Sequence, residues 1–392
     1  MIIISESNYD ICQNCIVTNS FFGLKINSDG LCDFCVNPAH VNPNWKKVQI
    51  RKAMKQSCLQ DWNNTVKEMK ELYGDQENCC VLGFSGGKDS TALVDMLINE
   101  YHLRPFLVTL NTGYMTDIAI NNIKQTLQKM NLEKDHIFID DAIPLFTKLY
   151  RFLFYNHNSN EKGLTLEICH LCTDILHTLL VKEAMKKKLK FVVIGFSPDQ
   201  IARYFYETSP KDTLRDGLPR PEKFKKTLDK NELKLYLDEN LPLDSLPRVL
   251  YPYHVIHYDE HEIIKRIEAK ELIDKGKGNP VLTNCHVVKV ALMYDLYRYG
   301  GITYALQYAE LIRQKPIHER KKARKELLIV LLSFSRSIFR GTFNMEGFNR
   351  FFKRIGTTRE ELLEVIEKQR EKDPNKDMIE KNIELLRSMQ LK

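Results

Sequence analysis

A glycine-rich turn between an apolar segment and a helical segment constrains this chain more than any other feature. Cys80-Val81-Leu82-Gly83-Phe84 has the composition of a short buried strand, and Ser85-Gly86-Gly87-Lys88-Asp89-Ser90 follows it directly. Apolar residues then recur at helical spacing. Glycines let backbone N–H groups approach an anion, and the start of a helix adds partial positive charge. The sequence therefore predicts a strand, a phosphate-binding turn and a helix in succession.

Short apolar segments alternate with helical patterns through the first half of the chain. Further strands are predicted at Phe106–Leu110, His136–Ile139 and Phe191–Gly195, and helices at Ala119–Met130 and Thr173–Lys188. Such alternation indicates parallel strands joined by crossover helices. We therefore predict an α/β fold, an open parallel sheet with flanking helices, whose ligand lies at the carboxyl ends of the strands.

Two common phosphate motifs do not match this turn. The Walker motif has four residues between its glycines and Ser or Thr after its lysine, whereas three residues separate Gly83 from Gly87 and Asp89 follows Lys88. A G-x-G-x-x-G pattern does not occur either. After a strand, Ser-Gly-Gly-Lys-Asp-Ser resembles the PP-loop of the N-type ATP pyrophosphatase (adenine nucleotide alpha hydrolase) superfamily. The resemblance implies the HUP-like PP-loop fold.

The resemblance also implies an activity. Members of the superfamily cleave ATP between the α and β phosphates, with Mg2+, and transfer AMP to a substrate carbonyl or carboxylate oxygen. A nucleophile then displaces AMP, which is a much better leaving group than the original oxygen. By the same resemblance the whole loop binds ATP, Lys88 offsets the phosphate charge, and Lys88 and Asp89 are catalytic. The predicted loop residues are Ser85, Gly86, Gly87, Lys88, Asp89 and Ser90.

Two later segments are candidates for nucleotide contacts. Gly195-Phe196-Ser197-Pro198-Asp199-Gln200 resembles an element of the superfamily that follows a strand and faces the nucleotide. This resemblance implies that Gly195 lies beside the nucleotide and that Asp199 contacts Mg2+ or substrate; an exposed helix cap is the alternative for Asp199. Thr112 follows the second strand, and its position alone makes it a candidate contact to adenosine.

Four cysteines near the amino terminus have the spacing of metal ligands. Cys12 and Cys15 form one Cys-x-x-Cys pair, Cys32 and Cys35 form another, and sixteen residues separate the pairs. Four thiolates at this spacing complete a tetrahedral Zn2+ site, and such a closed site is structural. We predict a small zinc knuckle here, with a cluster or metal-free thiols as alternatives.

Three later cysteines carry a second pattern. Cys169-His170-Leu171-Cys172 is predicted to precede a helix, and Cys285 to stand at the start of another, where a cysteine pKa is lowered. A Cys-x-x-Cys roughly eighty residues after the loop, followed by one further Cys, resembles the cluster-dependent tRNA thiolases. The resemblance implies that Cys169, Cys172 and Cys285 are catalytic and hold a [4Fe-4S] cluster. A persulfide or disulfide relay is one alternative, and a structural or zinc role is another.

The amino-terminal knuckle carries a different resemblance. Cys12-x-x-Cys15-Ile16, Gly30 and the sixteen-residue gap are similar to bacterial N-acetyl sugar amidotransferases, PP-loop enzymes that receive ammonia from a separate glutaminase. The first predicted function is therefore adenylation followed by sulfur transfer (thiolation), and the alternative is ammonia transfer to an N-acetyl sugar. A non-enzymatic zinc-knuckle protein that binds nucleotide or nucleic acid is the third hypothesis.

The balance of charge adds a candidate surface for nucleic acid. The chain has 392 residues with 58 Lys+Arg, 51 Asp+Glu and 43% hydrophobic residues, a composition that excludes intrinsic disorder. Basic residues concentrate in a run that tracks a phosphate backbone or forms a solvated helix face. They are Arg313, Lys315, Arg320, Lys321, Lys322, Arg324 and Lys325.

Five segments are predicted from the composition. They are a zinc knuckle (1–44), a helical linker (45–78), a PP-loop core (79–208), an insertion or lid (209–280) and a helical C-terminal region with Cys285 (281–392). Apolar runs stay short of the roughly 20 residues of a membrane span, and the amino terminus does not resemble a signal peptide, so we expect a cytoplasmic protein without a membrane partner. Expected partners are an acceptor (tRNA, nucleotide sugar or another small carbonyl compound), a sulfur donor or glutaminase, and a second copy in a homodimer.

Overall fold

The chain forms two compact units, each assembled from separate stretches of sequence. The computed structural model describes residues 11–19, 24–37, 44–74, 77–157, 163–198, 204–278, 285–342 and 346–388. Ile50–Leu149 and His170–Cys285 make the sheet unit, and Met1–Gln49, Tyr150–Cys169 and His286–Lys392 make the helical unit.

The sheet unit contains six strands in one sheet. They are β1 (Asn78–Gly83), β2 (Arg104–Leu110), β3 (His136–Ile139), β4 (Phe191–Ile194), β5 (Glu207–Thr208) and β6 (Arg248–Leu250). Their order is β3-β2-β1-β4-β6-β5; every neighbouring pair is parallel except β5 and β6. The chain therefore builds outward from β1 in one direction and then, from β4, in the other. Such a switch point is where open α/β sheets bind ligands.

The helices flank the sheet or make up the second unit. The α-helices of the described residues are α1 (Asp33–Val36), α2 (Asn44–Tyr73), α3 (Lys88–Asn99), α4 (Asp117–Met130), α5 (Ile143–Asn156), α6 (Leu164–Lys186), α7 (Pro210–Asp216), α8 (Glu222–Lys225), α9 (Lys230–Leu233), α10 (Glu260–Ala269), α11 (His286–Tyr299), α12 (Tyr304–Gln314), α13 (Ile317–Arg340), α14 (Glu346–Ile355), α15 (Arg359–Arg370) and α16 (Lys376–Ser388).

Both faces of the sheet are covered by apolar packing. Along β4, Phe191 and Val193 pack into one core together with residues of α3 and α10, whereas Val192 and Ile194 pack into a second core with residues of α6. Successive strand residues point to opposite faces, so a strand that is apolar throughout must be covered on both sides. The predicted α/β fold, an open parallel sheet with flanking helices, is confirmed.

The segment predicted as an insertion or lid contributes to this core. It contains β6, which pairs with β4, and α10, whose Ile263 and Ile267 are buried in the same core as α3. An ion-pair network strengthens the packing of α10 on α3. The fully buried Asp95 carboxylate accepts hydrogen bonds from Lys270 at 2.7 and 3.0 Å, and Arg266 lies 3.3 Å from it.

The helical unit is built around α11. This helix is buried along most of its length and packs against α13, α14, α15 and α16. The knuckle residues from Cys12 to Cys35 belong to the same unit, where Asn382 donates a hydrogen bond to the Asn19 carbonyl at 2.8 Å.

One helix of the described residues is long and apolar enough to cross a membrane. It is α6, and half of its most apolar window is buried inside the protein. A core helix of a soluble protein has the same properties, so α6 is weak evidence for a membrane segment.

Candidate active site and metal centre

The predicted phosphate loop lies at the switch point of the sheet. Strand β1 ends at Gly83, and α3 begins at Lys88 with Gly87 as its N-cap. Neighbouring β4 ends at Ile194, directly before Gly195. The carboxyl ends of β1 and β4 thus flank the loop, which follows a strand as the sequence predicted.

Gly86 has a conformation and surroundings that require glycine. Its φ is +71°, and a Cβ atom at this position would lie 2.2 Å from the Ala119 carbonyl oxygen. The Asn122 side chain, also on α4, donates a hydrogen bond to the Gly86 carbonyl at 2.9 Å. Helix α4 therefore packs directly against the loop backbone and holds its shape.

Two serines close the loop on itself. The Ser90 hydroxyl accepts a hydrogen bond from the Ser85 N–H at 3.2 Å and donates one to the Gly87 carbonyl at 3.1 Å. The Ser85 hydroxyl lies 3.2 Å from that of Ser90 and accepts a weak bond from the Gly87 N–H at 3.4 Å. The loop is therefore ordered by its own hydroxyl groups before any ligand is considered.

Gly195 brings the end of β4 against the same loop. A Cβ atom there would lie 3.3 Å from both the Asp89 carbonyl oxygen and the Ser90 Cα. The residue predicted to lie beside the nucleotide therefore contacts the backbone that begins α3. Asp199, the predicted Mg2+ or substrate contact, lies outside the described residues.

Lys88 is buried within a cluster of polar side chains. Its ammonium lies 2.8 Å from each carboxylate oxygen of Asp89, 2.9 Å from the Tyr258 hydroxyl and 3.8 Å from Glu260. The Lys88 side chain is only 5% exposed. Sequence reasoning did not identify Tyr258 or Glu260, because the 170 positions between Lys88 and Tyr258 leave no local signal.

Thr112 is buried at the end of β2. Its hydroxyl accepts a hydrogen bond from the Tyr114 N–H at 3.3 Å, and the neighbouring Asn111 side chain accepts one from the Gly113 N–H at 2.8 Å. Side-chain hydrogen bonds thus shape this turn. Its contact with adenosine remains a prediction.

The two paired later cysteines do not precede a helix as predicted. Helix α6 begins at Leu164, so Cys169 and Cys172 lie within it, three residues apart and near one side. The prediction that these two cysteines stand at a helix N-terminus is therefore wrong. Cys285 stands directly before α11, in agreement with the prediction. Cys169 belongs to the helical unit and the other two to the sheet unit, and their convergence remains a prediction.

The four amino-terminal cysteines converge. Their sulfur atoms all lie within 4.8 Å of one another, and Cys15 and Cys32 are 3.6 Å apart. Four sulfurs bound tetrahedrally at about 2.3 Å from a zinc ion would be about 3.8 Å apart. The Cys32 N–H also donates a hydrogen bond to the Cys12 sulfur at 3.3 Å. The group therefore fits a metal ion with four sulfur ligands.

Turn geometry explains why these sulfurs meet. Gly30 has a φ of +73°, and its N–H donates a hydrogen bond to the Asn27 carbonyl at 3.0 Å. The Gln13 N–H donates to the Gly30 carbonyl at 2.9 Å, which ties the second turn to the first. A turn at Asn27–Gly30 therefore precedes Cys32 and leads into the second Cys-x-x-Cys pair.

The thiols of this group perturb one another. Hydrogen bonds from Cys15, Cys32 and Cys35 lower the pKa of Cys12, whereas the hydrogen bond that Cys15 donates to Cys12 raises the pKa of Cys15. Four thiolates this close would repel one another strongly, and a bound dication offsets that repulsion.

Part of the predicted basic run supports the knuckle. Arg324 donates hydrogen bonds to the carbonyl oxygens of Cys12 at 3.1 Å and Cys15 at 2.7 Å, and the Arg313 guanidinium lies over the Phe34 ring. Arg320 donates to the carbonyls of Lys315 and Arg313. These three arginines are therefore structural and do not form a solvated face. The exposed members of the run are Lys315, Lys321, Lys322 and Lys325.

Comparisons with known proteins give distant similarity. No protein-family model matches the chain. An uncharacterized protein of Methanocaldococcus jannaschii is 22% identical over 320 residues, which cover 81% of this chain and 92% of that protein. A solved structure, the U34-tRNA thiolase NcsA from Methanococcus maripaludis with its [4Fe-4S] cluster, is 18% identical over 70% of this chain and 80% of that chain, with a TM-score of 0.32. At this TM-score the likeness carries no argument about fold or function.

Proposed function

We propose that this protein is an ATP-dependent adenylating enzyme of the PP-loop type. The observation that carries the proposal is the Ser85–Ser90 loop, which is ordered by its own serines and opens α3 at the switch point of a parallel sheet. Backbone N–H groups, the helix N-terminus and one lysine are suited to bind the β and γ phosphates of ATP, together with Mg2+.

The first step transfers AMP to the acceptor. A carbonyl oxygen of the acceptor attacks the α-phosphorus, the bond between that phosphorus and the bridging oxygen breaks, and pyrophosphate leaves. The Lys88 ammonium turns from Asp89 toward the departing phosphates and offsets their charge. The oxygen of the acceptor then belongs to a phosphate ester, which leaves readily as AMP.

The second step replaces that oxygen, and sulfur is the proposed nucleophile. Hydrosulfide attacks the activated carbon, the C–O bond breaks with release of AMP, and the new sulfur loses its proton as the C=S bond forms. A cysteine persulfide would instead leave a disulfide between that cysteine and the sulfur on the acceptor. A second cysteine thiolate would then cleave this disulfide, which releases the thiolated acceptor and leaves a protein disulfide for an external thiol reductant to reduce. Cys169, Cys172 and Cys285 are the residues proposed to supply sulfur, as ligands of an iron–sulfur cluster or as a thiol relay. Two of them share one side of α6, which suits either role.

The amino-terminal group is proposed to hold structural zinc. Cys12, Cys15, Cys32 and Cys35 would supply four thiolates, and a metal with all positions occupied takes no part in catalysis. Its contribution would be to stabilise the knuckle.

Ammonia transfer to an N-acetyl sugar is the second candidate. The knuckle turn that carries this resemblance is formed, with Gly30 at positive φ and the four sulfurs together. A separate glutaminase would then supply ammonia, and the three later cysteines would have no role in the reaction.

The adenylating step is tested by release of pyrophosphate from ATP with Mg2+, in the presence of bulk tRNA or a UDP-N-acetyl sugar. Lys88→Ala should abolish release while circular dichroism shows an intact fold. Lys134→Ala, at an exposed lysine of the same unit, is the control and should behave as the native protein. Release from Lys88→Ala at the native rate would contradict the proposal.

Sulfur and ammonia are distinguished by the product. Reactions that release pyrophosphate are repeated with sulfide or with ammonium, and the acceptor is analysed by mass spectrometry. Replacement of oxygen by sulfur supports thiolation. Replacement of oxygen by nitrogen supports amidotransfer. Formation of that nitrogen product should also persist when Cys169, Cys172 and Cys285 are all changed to serine.

A further inference from the structure

The Tyr258 hydroxyl is hydrogen-bonded to both members of the ion pair between Lys88 and Asp89. It accepts a hydrogen bond from the Lys88 ammonium at 2.9 Å and donates one to the Asp89 carboxylate at 2.8 Å. The ammonium also lies 5.6 Å from the centre of the Tyr258 ring. One hydroxyl thus contacts both ionic groups of the candidate phosphate site.

Packing fixes the position of this hydroxyl. Tyr258 immediately precedes Asp259, the N-cap of α10, and α10 is held on α3 by the ion pairs of the buried Asp95. Lys88 is the first residue of α3. Because Tyr258 leads directly into α10 and the ion pair lies at the start of α3, the packing of these two helices determines the distance between the tyrosine and the ion pair.

We propose that Tyr258 is a positioning residue of the phosphate site, acting through Asp89. This inference rests on the proposed function, since it assumes that the loop binds phosphate. The Tyr258 hydroxyl keeps the Asp89 carboxylate hydrogen-bonded when the Lys88 ammonium turns from Asp89 to a bound phosphate.

Moving the Lys88 ammonium away from Asp89 costs free energy. Lys88 donates to both oxygens of Asp89, so a phosphate oxygen must compete with a carboxylate for the same cation. A carboxylate that loses its cation beside a phosphate is destabilised by desolvation and by repulsion. A neutral hydroxyl donor reduces that cost without neutralising Lys88. Its removal should therefore weaken phosphate binding although the tyrosine need not touch the ligand.

Inorganic pyrophosphate with Mg2+ is the probe, because it tests the loop without an acceptor. Hydrogen bonds to charged groups are among the stronger ones in proteins, so Tyr258→Phe should raise the Kd for pyrophosphate about tenfold in calorimetric titration. Tyr206→Phe is the matched control. Its hydroxyl donates to the Asp61 carboxylate at 2.8 Å beside Arg248, the same chemistry in a different part of the unit. The control should bind pyrophosphate as the native protein does.

A double-mutant cycle with Asp89→Asn separates positioning from other roles. With a neutral side chain at position 89 there is no carboxylate to stabilise, so Tyr258→Phe should then change the Kd by less than about twofold. An undiminished tenfold effect in that background would overturn the proposal, because the tyrosine would act on the ligand or on the fold.

The remaining outcomes distinguish this inference from the proposed function. If Tyr258→Phe binds pyrophosphate like the native protein while Lys88→Ala does not, the role of Tyr258 is wrong and the phosphate loop stands. If the native protein itself does not bind pyrophosphate, the proposed function is wrong, and the inference that rests on it also fails.

Discussion

Gly86 is a loop residue at which a side chain would not be tolerated. Any L-residue at its φ of +71° is strained, and a Cβ atom would also overlap the Ala119 carbonyl oxygen at 2.2 Å. Strain at positive φ costs about 1 kcal/mol, and overlap in a packed site adds about 1–3 kcal/mol. Gly86→Ala should therefore lower the free energy of unfolding by about 2–4 kcal/mol in urea titration, and pyrophosphate binding should be lost.

Gly74→Ala is the matched control for this change. Gly74 has a similar φ of +64°, but among the described residues other than its chain neighbours no atom lies within 4 Å of the position of its Cβ. Only the backbone term applies, so we expect a loss of about 1 kcal/mol and native pyrophosphate binding. Equal losses for the two variants would show that α4 does not pack against the loop as described.

At the scale of elements, hydrogen bonds join the knuckle to the first half of α13. Arg324 on α13 donates to the carbonyls of Cys12 and Cys15, so it supports two of the four metal ligands through their backbone. Changes in residues that support metal ligands typically cost 10–100-fold in metal affinity. Arg324→Ala should therefore raise the Kd for Zn2+ by about tenfold or more, as measured by competition with a chromophoric chelator.

The neighbouring Lys325 provides the control for Arg324. It is exposed on the same helix, and Lys325→Ala should leave the zinc affinity unchanged. Hydrogen exchange measured after removal of zinc should also show faster exchange at the start of α13. A knuckle that loses zinc while α13 keeps its protection would contradict the coupling.

Local patterns were sufficient to predict the strands of 4 or more residues. His136–Ile139 matches β3 over its full length, and Phe191–Gly195 differs from β4 by one residue. Strand β6 was missed because three residues are too short for a pattern.

The start of α6 was misplaced by nine residues for a different reason. The N–H groups of Leu164 and Thr165 bond to the Asp295 carboxylate, a cap from 131 and 130 positions away that no local motif records.

The candidate site shows the same division between local and distant signals. The loop from Ser85 to Ser90 is contiguous, and its residue types predicted a turn between a strand and a helix. Tyr258 joins the site only because α10 packs on α3, which depends on contacts such as Lys270 with Asp95. The sequence of one chain therefore predicted the strand, turn and helix of the candidate phosphate loop but gave no signal for the side chain that contacts both members of its ion pair.

At the scale of the whole molecule, the exposed lysines of the basic run test whether the acceptor is RNA. Changing Lys315, Lys321, Lys322 and Lys325 together to alanine should weaken binding of bulk tRNA in filter-binding or anisotropy titrations. Each phosphate contact contributes about one unit to the slope of log K against log salt, so the slope should also fall. The arginines of the run are left unchanged because they support the knuckle and its helix.

A second basic segment supplies the control for this surface. Lys186, Lys188 and Lys190 are exposed in the sheet unit, and their replacement by alanine removes a comparable charge from a different place. Equal losses from the two sets would indicate a general effect of net charge. Absent or salt-independent tRNA binding would instead favour a small acceptor, and with it the amidotransferase hypothesis.

The three later cysteines carry the prediction that decides between sulfur and ammonia. If Cys169, Cys172 and Cys285 hold a [4Fe-4S] cluster, protein purified without oxygen should be brown and contain about four iron and four sulfide per chain. Changing any one of the three to serine should reduce the iron content and sulfur transfer together.

Cys12→Ser should lose zinc but keep iron, since its sulfur belongs to the separate amino-terminal group. Cys58→Ser should keep both metals. Iron that is lost with Cys12 but retained with Cys285 would place the cluster in the knuckle, and the sulfur-transfer proposal would lose its main support.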